Sequence, residues 1–318
     1  MNDAHPRSRT SHWVRRFAIL FLLLLAAGGL TFGWAWWYFH PQVSRNDGIV
    51  YGYRNDKPLM MDVIRPANAN GHAVALMASG GWKSSSPGTT PIWLLAPVLR
   101  RGYTVFAIYH VSQPEATVME IIDDAHRGLR FVRHHATDYG IDPHRIGVTG
   151  GSAGGHLSLM LATCGGPGPA DAESPIDRES SAVQAVAIFY PVTDLLNLGS
   201  STENLGDGGP PKSYVKAFGP QATNLEHWRI IGRQCSPIYH LTDQLPPTLI
   251  YHGDADTLTP LEQSKAFQKQ AARHGREVQL VVHSGGAHGW PSMIWDTRKF
   301  ADWFDKYLRS DTNPNTKD

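Results

Sequence analysis

Gly150-Gly151-Ser152-Ala153-Gly154-Gly155 follows the apolar run RIGVT and precedes HLSLMLATC. A serine set among glycines at a strand-to-helix turn can expose its hydroxyl as a nucleophile, because missing Cβ atoms let the backbone bend sharply. The helix opening there aims backbone N–H groups at the same spot, which suits a developing oxyanion. A lone serine hydroxyl is a weak nucleophile and needs a base oriented by an acid. Two later loops supply these residue types: His252-Gly253-Asp254-Ala255-Asp256 after PTLIY, and Ser284-Gly285-Gly286-Ala287-His288-Gly289-Trp290 after VQLVVH. Of the 16 histidines, His288 is third in the order serine, acid, histidine and sits in a Gly-rich loop, so it is the expected base. The residues alone leave both Asp254 and Asp256 open as the acid. A second amide donor is expected from Ala78-Ser79-Gly80-Gly81-Trp82-Lys83. Gly80 and Gly81, with the Ala153 amide, are the oxyanion candidates.

Other chemistries fit less well. No GK[ST] follows the glycines, and a GxGxxG pattern would need a glycine where Ser152 stands. There is no HExxH, and the adjacent His134 and His135 point to different sides of their helix, so neither metal nor cofactor is expected. Trp82 reads either as a pocket wall or as loop packing, and Asp194 as a structural carboxylate.

These residues must be positioned by the elements around them. Strand-like runs fall at 49–53, 59–66, 73–79, 103–110, 145–150, 183–191, 247–253 and 278–284, with helix-like segments at 91–101, 118–136, 153–163, 260–274 and 291–308. The first two strands alternate partly, and the later ones are near-continuous apolar runs, as strands buried on both faces would be. That order predicts an α/β fold, a mostly parallel sheet with helices on both faces, in one domain over 45–309. Residues 195–235 interrupt it with a Gly-, Pro- and Ser-rich stretch, read as an insertion that is either a loose surface loop or a cap over the site. Leu205, Tyr214, Val215 and Phe218 are its candidate pocket residues. The polar residues from Arg309 onward, including 310–318, read as a frayed tail.

The formal charge of +1 over 318 residues provides no field to gather nucleic acid, and 42% apolar residues can fill a core. Cys164 and Cys235 lack metal or redox spacing and read as two buried thiols. Phe17 to Phe39 carries no charge, and as a helix these 23 residues would rise roughly 34 Å, enough to cross a bilayer core. Arg7, Arg9, Arg15 and Arg16 precede it, so residues 1–16 are expected to stay cytoplasmic and the domain to lie outside. A signal peptide cut near Ala26 and Gly28 is the competing reading, with a buried core helix third. Cleavage would strand Trp34, Trp36, Trp37, Tyr38 and Phe39 on a loose terminus, whereas an uncleaved anchor uses them as an interfacial aromatic belt.

With GGW at 80–82, PE at 114–115, Asp124 before LRFVR, GGSAGG at 150–155, YPVTDL at 190–195, SPIYHL at 236–241, PPTLIYHGDADTLTP at 246–260 and GAHGW at 286–290, the chain resembles an α/β-hydrolase. The branch is that of the acetyl-esterases and feruloyl esterases, next to the hormone-sensitive-lipase-like carboxylesterases. The resemblance implies a serine hydrolase acting on a small-molecule carboxylic ester, with Ser152, Asp256 and His288 as its triad. Two departures stand out. The family's oxyanion loop reads HGGGW, and here Ala78 and Ser79 replace the histidine and first glycine; the family's YR after the fourth strand is Tyr109-His110. A prolyl-oligopeptidase-like peptidase or amidase shares the elbow, and a non-catalytic binding protein shares the fold. The size of the chain argues against the first and the complete triad against the second.

Overall fold

The computed structural model describes residues 9–309, so the expectations for residues 1–8 and for the 310–318 tail lie outside the described residues. The sheet is built from β1 (Val43–Arg54), β2 (Lys57–Pro66), β3 (Ala73–Met77), β4 (Thr104–Ile108), β5 (Ile146–Gly151), β6 (Ala185–Phe189), β7 (Thr248–Gly253) and β8 (Val278–His283). Their spatial order is β1-β2-β4-β3-β5-β6-β7-β8. β2 runs antiparallel to both neighbours, and from β4 to β8 every pairing is parallel.

The helices are α1 (Arg9–Phe39), α2 (Ile92–Arg100), α3 (Val118–His134), α4 (Ala153–Cys164), the single turn α5 (Pro175–Arg178), α6 (Leu225–Gln234), α7 (Glu262–Arg273) and α8 (Met293–Phe304). Their apolar residues close both faces. Ile121 and Leu129 of α3, Leu157 of α4 and Phe267 of α7 pack into one core cluster; Leu95 and Leu99 of α2 and Phe300 and Phe304 of α8 pack into the other. α3 starts where Thr117 accepts from the Glu120 amide while Glu120 reaches back to the Thr117 amide, a reciprocal cap worth about 1 kcal/mol.

The predicted α/β architecture is the observed one, and three local expectations are corrected. β8 is an edge strand with only Val278 buried and Val282 exposed, so its apolar run does not mark burial on both faces. Cys164 is exposed, and only Cys235 is buried. Residues 195–235 are also more ordered than their composition implies. They contain α6 and place Leu195, Ala217, Phe218, Ala222 and Trp228 in the main core cluster.

α1 is a separate matter. Trp13–Phe39 forms one helical run of 27 residues, apolar enough to cross a membrane or to serve as a signal sequence, with none of its most apolar window buried in the protein.

Candidate active site

Parallel strands deliver their C-terminal ends to one edge of the sheet, and the chemistry-bearing loops follow β5, β7 and β8 there. Ser152 links β5 to α4 at φ 56°, ψ −122°, a conformation that L-residues adopt only under strong constraint. The glycines around it allow close approach: a Cβ on Gly154 would stand 2.4 Å from the Met77 carbonyl oxygen, and one on Gly150 2.6 Å from the Gly154 carbonyl. The Ser152 amide donates to the Phe189 carbonyl (3.1 Å), which ties the turn to β6.

His288 Nε2 lies 2.9 Å from Ser152 Oγ, and its Nδ1 lies 2.8 Å from Asp256 Oδ2. Asp256 is buried, and its other oxygen accepts from the amides of Leu258 (2.9 Å) and Thr259 (3.0 Å). The Thr259 hydroxyl is 3.0 Å from Asp256 Oδ2 and 3.1 Å from His288 Nδ1. Burial works to raise the Asp256 pKa. The His252 ring 3.6 Å away, His288 and the Thr259 amide outweigh it and hold the carboxyl well below the usual range. Asp254 faces elsewhere, accepting from the Gly285 amide at 2.7 Å. The structure therefore brings Ser152, His288 and Asp256 together and leaves Asp254 in the loop. The Tyr190 ring, at an unusual φ of 31°, packs 4.5 Å from the imidazole of His288.

Gly81 and Ala153 line the pocket beside Ser152; Gly80 is exposed in the two-residue hairpin pairing Ser79–Gly80 with Lys83–Ser84. Trp82 is both pocket wall and packing. Buried at φ 56°, it donates its indole N–H to His156 Nδ1 (3.1 Å) and meets Tyr214 and Phe218 edge to face. The two departures from the family pattern touch one another. His110 Nε2 is 2.9 Å from Ser79 Oγ, and its Nδ1 is 2.9 Å from the Val111 carbonyl. Since Nδ1 can only donate to that carbonyl, Nε2 accepts the Ser79 hydroxyl proton. His110 thus braces the loop at Ser79.

The pocket is a cleft beside Ser152 that opens to solvent. Val192, Leu195, Leu198 and Leu258 give it apolar walls, and Glu203 and Tyr214 contribute polar atoms. The Tyr214 ring would lie 3.0 Å from a Cβ on Gly81, so the 195–235 segment reaches the loop that carries Gly80 and Gly81. Of its four candidate pocket residues, Tyr214 lines the pocket, Phe218 packs behind Trp82, Val215 is half-buried outside the pocket lining, and Leu205 is exposed. Asp194 is structural, accepting from the Leu196 and Asn197 amides and from Tyr239.

Residues 61–271, about two thirds of the chain, match the BD-FAE family. The chain belongs to the BD-FAE family. This BD-FAE member is similar to a probable isoprenylcysteine alpha-carbonyl methylesterase of Arabidopsis thaliana, 26% identical over 87% of this chain and 57% of the relative. It is also similar to the probable carboxylic ester hydrolase LipM of Mycobacterium tuberculosis, 29% identical over 64% of this chain and 45% of that one. The chain thus spans about half the length of these curated relatives. Among solved structures, Thermogutta terrifontis esterase 2 phosphoramylated by tabun superposes with a TM-score of 0.63 at 25% identity, over 84% of this chain and 94% of that one. The fold of this BD-FAE member is the α/β-hydrolase fold.

Sequence reasoning missed Thr259, Tyr190, His156 and Glu203. Thr259 had a local signal, an aspartate followed three residues later by threonine, the pattern of a side chain capping the turn it begins. His156 had none, since its partners Trp82 and the Cys235 carbonyl (2.6 Å) come from distant segments.

His156 also sets a pH limit on the fold. Burial pushes its pKa down to about 4. His126 falls likewise to about 4, through burial and then the Arg130 charge. Both are neutral when folded and protonate near the ordinary histidine value of about 6.5 when unfolded. The unfolded chain therefore binds more protons between those values, so stability is full above about pH 6.5 and falls as pH drops towards 4. Each group contributes on the order of 3 kcal/mol. The carboxyls of Asp123, Asp124 and Asp194, raised chiefly by burial, pull the other way at the acid end of that window. Thermal melts of the protein should show Tm falling by about 10 °C between pH 7 and pH 4.5. A flat Tm across that range would contradict the account.

Proposed function

We propose that the chain is a serine carboxylic-ester hydrolase working through an acyl-enzyme. Ser152 Oγ attacks the ester carbonyl, His288 Nε2 takes its proton and passes it to the departing alcohol, and Asp256 keeps the imidazole oriented. Backbone amides at Gly81 and Ala153, with Gly80 in the same loop, receive the oxyanion. A water then repeats the sequence on the acyl-enzyme and frees the acid. The observation that carries this reading is the hydrogen-bonded file Asp256–His288–Ser152, ending at a strained turn that faces an apolar pocket. The names of the relatives and the tabun adduct of the structural neighbour support it.

Pocket size and walls favour a small or medium acyl ester. We read α1 as a single-pass anchor with the hydrolase domain, residues 45–309, on the non-cytoplasmic side. The test uses the full chain, labelled with a fluorophosphonate probe and assayed on a panel of 4-nitrophenyl acyl esters and acetylated sugars. Stoichiometric labelling that blocks ester turnover is expected. Labelling without turnover of any ester in the panel would refute the proposed activity, and absence of labelling would refute the nucleophile.

A further inference from the structure

α2 and α8 lie side by side on one face of the sheet, sharing a core cluster through Leu95, Leu99, Phe300 and Phe304. The last turn of α1 rests on this pair rather than standing clear of the domain. The Arg100 guanidinium lies 3.8 Å from the Trp37 ring centre, and its Nε donates to the Tyr38 carbonyl at 3.1 Å. Phe39 meets Trp295 edge to face at 5.3 Å, and the Arg298 guanidinium stands 5.8 Å from the Tyr38 ring.

Beyond these contacts the face keeps large aromatic surface in the open. Trp93, in the first turn of α2, is 46% exposed, and Trp295, in the first turn of α8, is 43% exposed. Exposed tryptophan is expensive in water, where its apolar body is hydrated. At a bilayer surface the ring enters the headgroup layer and its N–H stays hydrogen-bonded. Arg100 and Arg298, with long stems and cationic heads, suit the same layer. The aromatic end of α1, from Trp34 to Phe39, is where a spanning helix would leave the hydrocarbon, and it is continuous with Trp295.

We propose that the α2–α8 face is a bilayer-contacting surface, with Trp93 and Trp295 inserted at the headgroup level beside the aromatic end of α1. The inference rests on α1 being a membrane anchor, and it adds that the domain lies down on the membrane instead of hanging from a tether. It also bears on substrate. α2 follows β3 and α8 follows β8, so both begin at the C-terminal edge of the sheet, where Ser152 and His288 lie. Trp93 and Trp295 in those first turns set that edge at the border of the bilayer, while Arg100 in the last turn of α2 holds the end of α1 further along the same face, an arrangement that favours an amphiphilic ester already partitioned into the interface.

The test places nitroxide labels on single accessible cysteines in the full chain, in a Cys164→Ser background where the remaining native thiol, Cys235, is buried, reconstituted in phosphatidylcholine–phosphatidylglycerol nanodiscs. The labelled variants are Trp93→Cys, Trp295→Cys, Leu23→Cys within α1 and Lys269→Cys on α7 at the opposite face. Collision with dissolved oxygen against an aqueous nickel chelate reports depth. Labels at 93 and 295 should read interfacial, Leu23 deep and Lys269 aqueous. If 93 and 295 read like 269 while 23 reads deep, the surface is refuted and the anchor stands. If 23 also reads aqueous, the anchor fails and the inference with it. A second readout uses Trp93→Ser with Trp295→Ser. The double variant should lose about fivefold or more of its turnover of a short-acyl ester of a long-chain alcohol carried in the nanodisc, and keep its turnover of a soluble acetyl ester. Equal loss on both substrates would overturn the substrate argument.

Discussion

Ser152→Ala is expected to lower kcat on a soluble acyl ester by about 10⁴-fold or more, with Tm unchanged within about a degree. The stability half follows from what the side chain touches. Ser152 Oγ is bonded to His288 Nε2 at 2.9 Å, the residue is only half-buried, and alanine meets the same backbone constraint at φ 56°. The catalytic half follows from the proposed reaction, in which the Ser152 hydroxyl forms the acyl-enzyme. His288→Ala should cost a similar amount. Base and nucleophile act as one unit, so the double variant should be no slower than the worse single. Full additivity, with the double losing the product of the two factors, would mean that the residues act independently and that the proton does not pass between them. Circular dichroism melts on all three variants separate a chemical loss from unfolding.

The strained positions around this site are related. Among the described residues, five other than glycine have positive φ, and Asn55 and Asp56 form the β1–β2 turn where such values are routine. The other three are Trp82, Ser152 and Tyr190, all at the site. Each is held by bonds from elsewhere. The Trp82 indole donates to His156 and its carbonyl accepts from the Gln113 amide (3.0 Å), Ser152 is tied to Phe189, and the Tyr190 amide donates to the Tyr251 carbonyl at 2.8 Å. Strain of about 1–3 kcal/mol per residue persists only where surroundings over-determine it. Here that rigidity fixes the Gly80–Trp82 loop, the Ser152 hydroxyl and the face of the His288 imidazole together, which in the proposed mechanism spares reorganisation at the moment of reaction.

The elements that carry this site were legible because central parallel strands bury both faces. Runs such as VFAI and AVAIF are apolar at every position, and such short unbroken runs rich in Val and Ile fit a strand buried on both faces better than a helix. The same logic misread VQLVVH, since an edge strand can be apolar for packing on one side while its other side faces solvent. Of the two readings of the 195–235 segment, the loose surface loop fails for a different reason. Its glycines and prolines mark turns, yet burial was decided by Phe218, which packs against Trp82, and by Trp228, which packs against Phe218, across distances that composition does not encode. The start of α6 was readable in Asn224, whose side chain accepts from the Glu226 and His227 amides. Trp82 illustrates the limit: its loop was identified, but the partner that fixes its ring lies on α4.

Asp256→Asn carries the sharpest test of the acid, the one role the residues alone left undecided. Asp256 Oδ1 is pinned by two amide donors, from Leu258 and Thr259, so an asparagine in its place must put its carbonyl oxygen there. Its NH₂ then falls at the Oδ2 position, 2.8 Å from His288 Nδ1. Two donors cannot face one another, so the imidazole must present a bare Nδ1 and carry its proton on Nε2. In that tautomer Nε2 cannot accept the Ser152 proton, and the negative charge that stabilised the imidazolium is gone as well. The expected loss in kcat is about 10³- to 10⁴-fold, with KM nearly unchanged because the substituted atoms do not line the pocket. Asp254→Asn is the matched control. Its amide oxygen can still accept from Gly285, and it touches neither His288 nor Ser152, so kcat should stay within about threefold of the parent. A reversed order, with Asp254→Asn the more damaging, would transfer the role to Asp254 and require the 253–256 loop to rearrange on substrate binding. Comparable small losses for both would mean that His288 needs no carboxylate partner, and the mechanism would reduce to a serine–histidine dyad.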